Sequence, residues 1–207
     1  MKVLISLFDH SGNWSKYYED NGWHVVRVDI KNGIDIMDWN PLPLLHLDPY
    51  STPEFGILAA VPCTDYALCG AKWFSEKDKD GRTEQSQKLL QRTKEIIDFF
   101  DNERLLKFWA IENPASRIHK LNPWMGNPLH KFQPFHYAGY DPIPVNSQYG
   151  KFTWLWGKFN IPIKNELPCL LSGMDRHSQW GGKSEKTKEL RSVTPLGFAR
   201  AFYEANN

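Results

Sequence analysis

Apolar positions in the first sixty residues fall into three short runs, each closed by turn-forming or acidic residues. Residues 3–8 are almost wholly apolar and run into Asp9-His10-Ser11-Gly12-Asn13, the pattern of a buried strand and a tight turn. The spacing then predicts a helix over about 14–20, stopped by Asn21-Gly22. Residues 23–28 alternate and end in Asp29, a second strand with an acid at its tip. A third strand over 55–60 closes on Val61-Pro62-Cys63-Thr64. Residues 84–101 read as an amphipathic helix, with Leu89, Leu90, Thr93, Ile96, Ile97 and Phe100 on one stripe. A buried strand over 106–111 follows, ending at Glu112-Asn113-Pro114. Residues 115–146, rich in Pro, Gly and Asn, give no clear element, and 153–156 read as a strand. Residues 172–189 read as a polar, basic loop, and Thr194 as the N-cap of a last helix to about 204, with Pro195 at its first position. Strand, glycine turn, helix, and strand with a terminal acid open a doubly wound, mostly parallel α/β sheet of the nucleotide-binding kind.

Composition narrows this picture. A chain of 207 residues suits one α/β domain and is short for two. Net charge is only +1, so the chain as a whole is no electrostatic clamp for nucleic acid. Between residues 150 and 200, however, nine Lys/Arg stand against four acids. That basic quarter is a candidate phosphate-contacting surface, with Lys151, Arg176, Lys183 and Arg191 as its proposed DNA contacts. Three Cys cannot pair off, the opening apolar run is too short for a secretory signal, and the longest apolar run is far too short to span a membrane. The expectation is a cytoplasmic protein with reduced thiols and no membrane partner. The Cys spacing lacks the pairs of a zinc site, so no metal is expected.

The chemistry-bearing residues sit where three predicted strands end: His10, Ser11 and Gly12 after the first, Cys63 after the third, Glu112 after the fourth. In open α/β sheets ligands bind beyond the carboxyl ends of the strands, so a turn, a thiol and a carboxylate should converge there. A strand-tip loop near helix N-termini is expected to lower the Cys63 pKa and favour the nucleophilic thiolate. Cys69 and Cys169 read as inert, Trp154 and Trp156 as core, and Trp180 as the better base-stacking candidate.

In these segments the chain resembles the cytosine-5 DNA methyltransferases, in particular the compact members met in bacteriophage and prophage genomes. Pro62-Cys63-Thr64-Asp65-Tyr66-Ala67-Leu68-Cys69-Gly70 is similar to the family's Pro-Cys-Gln-x-Phe-Ser segment, with Thr64 for Gln and Ala67 for Ser. Glu112-Asn113-Pro114 resembles its Glu-Asn-Val. Phe8 and Gly12 resemble its Phe-x-Gly-x-Gly loop, with His10 where the first Gly would stand. Asp29 resembles the acid that binds the cofactor ribose, and Asp35-Ile36 the pair that meets the adenine. The family's Gln-x-Arg-x-Arg falls on Gln148-Tyr149-Gly150-Lys151, where Lys151 is the cation present, and Arg191-Ser192-Val193-Thr194-Pro195 is similar to its late Arg-x-x-Thr-Pro.

The resemblance implies a Rossmann-like S-adenosyl-L-methionine-dependent methyltransferase domain over 1–207. Residues 161–190 would then be a small basic insertion in place of a target-recognition domain. It implies transfer of a methyl group to carbon 5 of cytosine in DNA, the base flipped out or single-stranded. Cys63 would be the covalent nucleophile and Glu112 the acid at ring nitrogen 3. Phe8, His10, Gly12, Asp29, Ile30, Asp35, Ile36 and Pro62 would hold the cofactor. Two alternatives stay open. One is the same mechanism with a modified sulfonium donor or an RNA or nucleotide acceptor; the other is a catalytically silent DNA-binding protein of this fold.

Overall fold

The computed structural model describes residues 1–47, 49–171 and 192–207. Its centre is a six-stranded sheet in the order β2-β1-β3-β4-β6-β5. The strands are β1 (Lys2–Leu7), β2 (His24–Val28), β3 (Glu54–Ala59), β4 (Leu106–Pro114), β5 (His130–Phe132) and β6 (Thr153–Lys158). The first four are mutually parallel, and β6 runs antiparallel between β4 and β5. The protein is therefore α/β with a mixed, mostly parallel sheet.

Both faces of the sheet are covered, which is why the inner strands are near-continuous apolar runs rather than alternating ones. On one face Val3, Ile5, Leu7, Phe55 and Ile57 pack with Leu90, Ile96, Ile97 and Phe100 of the long helix. That helix, the third, is α3 (Arg82–Asn102), preceded by α1 (Lys16–Asp20) and α2 (Phe74–Lys79). On the other face Leu4, Leu58, Phe108 and Leu155 pack with Trp14, Tyr18, Phe198 and Phe202, from the α1 region and the last helix. The described residues also hold the short α4 (Ile118–Leu121) and that last helix, α5 (Leu196–Ala205). Gly56 pairs with Phe108, whose ring lies 2.3 Å from where a Cβ on Gly56 would stand, so any side chain there would displace a core aromatic.

The predicted strands and helices form, joined by α2 and α4, which no pattern predicted, and three further points differ. β4 runs on through Glu112 and Asn113 to Pro114 because antiparallel β6 continues the ladder, pairing Glu112 with Leu155 and Pro114 with Thr153. β5, three residues long, lies within the stretch that gave no pattern, since so short a run cannot show a period. Thr194 is not the cap of α5. Pro195 occupies that position in an extended conformation with no side-chain cap, while the Thr194 carbonyl accepts from the Asn13 side-chain Nδ2 at 3.2 Å. Trp156 is buried and Trp154 packs against the core, as expected. Among the described residues no helix is long and apolar enough to cross a membrane.

From β1 the chain passes to β2 on one side and later to β3 on the other, so the direction of winding reverses between β1 and β3. A crevice opens at such a switch point, outside the carboxyl ends of the strands.

Candidate active site

A cavity of about 500 Å³ lies in that crevice, within the range of small-molecule sites. The β1 tip contributes Phe8, Asp9, His10 and Ser11, the β2 tip Asp29 and Ile30, and the β3 tip Pro62 and Cys63. Asp35 and Ile36 line it from the turn after β2, and Leu89 from α3.

The β1 turn is built on Asp9, a residue the sequence did not single out. Its buried carboxylate accepts from the hydroxyls of Ser6 (2.9 Å), Ser11 (3.3 Å) and Ser15 (2.9 Å) and from the Ser15 amide (3.2 Å). Four hydrogen bonds compensate a buried carboxylate and freeze the turn. Gly12 stands behind this turn and does not line the cavity. It holds φ +70°, a conformation that favours glycine, and a Cβ there would come 2.9 Å from Nε of Arg27 and push that side chain aside. His10 sits on the cavity side, its Nδ1 2.8 Å from the side-chain oxygen of Asn32.

Asp29 and Asp35 play matching local parts. One oxygen of Asp29 accepts from the Lys31 amide at 2.8 Å, and one oxygen of Asp35 from the Met37 amide at 2.9 Å. Each carboxylate caps its own turn while standing at the cavity wall. Ile36 is buried and Ile30 is exposed.

Cys63 opens a tight turn, its carbonyl accepting from the amides of Tyr66 and Ala67. Asn113, fully buried on β4, donates from its side-chain amide to the Val61 carbonyl at 2.9 Å and ties this loop to the sheet. A nearly buried ion pair holds the loop from the far side: Lys77 lies 3.1 Å from Asp65 and also donates to the Thr64 carbonyl. Ser86 donates to Asp65 at 2.6 Å, and Arg117 reaches the Asp65 carbonyl while pairing with Asp78. Lys77, Ser86 and Arg117 carried no signal in the sequence, and Asn113 stood there only as part of the Glu112-Asn113-Pro114 segment.

Glu112 does not stand in a loop but within the last turns of the ladder, and Lys151 lies 3.6 Å from its Oε1, both side chains largely buried. Lys151, grouped by sequence with the DNA contacts, is thus brought to the carboxylate. Arg176, Lys183, Arg191 and Trp180 lie outside the described residues. Cys69 and Cys169 are exposed.

The thiol departs from expectation. Burial pushes the Cys63 pKa above its ordinary value; the Lys151 ammonium pulls it down, and Glu112 pushes it up again. The expected lowering came from helix N-termini, but Cys63 is followed by a turn and a short 3-10 segment, with no α-helix starting at its loop.

No protein-family model and no curated protein matches the chain. What the site can do rests on its own geometry. A thiol, a carboxylate and a cation share one electrostatic neighbourhood, and the thiol lies on the wall of a ligand-sized cavity.

Proposed function

We propose that this protein is an S-adenosyl-L-methionine-dependent methyltransferase acting on carbon 5 of cytosine in a nucleic acid. The resemblance in the Cys63 and Glu112 segments puts DNA first as acceptor. On this reading the sheet is the Rossmann-like sheet of that enzyme class. The observation that carries it is Cys63 on the wall of a switch-point cavity, under the field of the Glu112–Lys151 pair.

The residues present suit the donor. Phe8, Ile36 and Leu89 offer an apolar slot, while Asp29 and Asp35 stand at its wall as acceptors for ribose hydroxyls and the adenine amine. When bound, the donor supplies an electrophilic methyl group. Cys63, once its thiol proton is lost to solvent, adds to ring carbon 6 while Glu112 passes a proton to ring nitrogen 3, which makes carbon 5 nucleophilic and leaves Glu112 as the carboxylate. After methylation the carbon 5 proton is lost to solvent, the carbon–sulfur bond breaks, and nitrogen 3 returns its proton to Glu112. Lys151 opposes the negative charge on Glu112 and on the thiolate.

Mass spectrometry of nucleosides from DNA of cells expressing the protein tests this directly. The expected result is 5-methylcytosine that is absent when Cys63→Ala is expressed. Modification of another base, or none at all, contradicts the proposal.

A further inference from the structure

Helix α3 touches both halves of the candidate site. Near its start Ser86 donates to Asp65 at 2.6 Å, and Asp65 is held by Lys77, which also grips the Thr64 carbonyl next to Cys63. One turn on, Leu89 lines the cavity. Arg92 then reaches the donor side, its guanidinium donating to the carbonyls of Ile36 (3.2 Å) and Trp39 (2.7 Å) and pairing with Glu95. Ser86, Leu89 and Arg92 recur every three residues, so all three project from neighbouring rungs of one side of the helix. Six residues at 1.5 Å each separate the two grips by about 9 Å along the axis.

We propose that α3 sets the separation of the donor and the nucleophile, with Arg92 positioning the Asp35–Ile36 turn and Ser86 positioning the Cys63 loop. The inference rests on the methyltransferase reading and names residues that touch neither reactant. An isolated turn of three or four residues has no fixed place relative to a loop on another strand. Two hydrogen bonds from one planar guanidinium fix such a turn in distance and angle together, which a lysine ammonium does not reproduce. The Asp65 carboxylate does the same for the other loop through Ser86. The packed helix between them, with Leu90, Ile96, Ile97 and Phe100 in the core, is the rigid spacer.

The two grips act on different reactants, so their loss should separate. Isothermal titration of the full chain with S-adenosylhomocysteine should show affinity falling on the order of tenfold in Arg92→Ala. The donor KM should rise while kcat at saturating donor is kept, and Arg92→Lys should recover part of the affinity. In Ser86→Ala the same titration should be unchanged, while kcat falls on the order of tenfold and the rate of Cys63 alkylation by iodoacetamide shifts. If Arg92→Ala does not fold, Arg92→Lys carries the donor arm alone, with a smaller loss expected. Unchanged affinity in a folded Arg92 variant, or unchanged kcat and alkylation in Ser86→Ala, overturns the inference. So does a parallel loss of both readouts in both variants, the pattern of a merely structural role. A wild-type chain that binds no S-adenosylhomocysteine overturns the donor reading itself and the inference with it, and is seen before any variant is made.

Discussion

Two effects oppose each other at Cys63. Burial disfavours the thiolate and Lys151 favours it, and burial is the larger. The reactivity of the thiol should therefore rise with pH through a value above that of an ordinary cysteine. Iodoacetamide alkylation followed by peptide mapping checks this. Lys151→Gln removes a cation that pulls the thiol down, so its rate profile should move to still higher pH. A profile that moves to lower pH, or does not move, would remove Lys151 from the electrostatics of the site. The place of Cys63 at a strand tip was legible in the sequence because it follows a strand-forming run beside a recognisable neighbour. The sign of the thiol's shift was not, because burial is a property of the packed fold rather than of the local segment.

Among the elements, the loop after β3 depends on groups brought from far along the chain. Asp65 is clamped by Lys77 on α2, by Ser86 on α3, and at its carbonyl by Arg117 just before α4. The Lys77–Asp65 pair is about nine-tenths buried, so removing one partner leaves an uncompensated charge. Lys77→Met should cost about 3 kcal/mol in urea denaturation, and Lys77→Met with Asp65→Asn should recover much of that loss. A Lys77→Met protein as stable as wild type would show that the pair does not hold the loop. None of these partners was visible beforehand, because a contact over 12 to 52 residues leaves no periodic trace in the sequence. The parallel strands were visible for the opposite reason: burial on both faces writes a continuous apolar run into each. The extension of β4 over Glu112 was hidden because it depends on the antiparallel partner β6.

At the scale of the whole molecule, a nearly neutral chain carries its excess positive charge in its last quarter. If that quarter meets phosphates, affinity for an oligonucleotide should fall steeply with salt. Changing Lys183, Lys186 and Lys188 together to Gln should flatten the log–log slope by about 0.7–0.9 per contact removed. An unchanged slope would place the nucleic-acid surface elsewhere. On the proposed function, the switch-point cavity and the Glu112–Lys151 pair serve one covalent step at Cys63. Fluorine at carbon 5 of cytosine cannot leave as a cation, so the adduct cannot resolve after methylation. Incubation with S-adenosyl-L-methionine and DNA containing 5-fluorocytosine should give a complex that survives denaturation, with the cross-link mapped to Cys63 and absent in Cys63→Ala. A cross-link on Cys69 or Cys169, or a Cys63→Ala protein that still methylates carbon 5 of cytosine, would contradict the account.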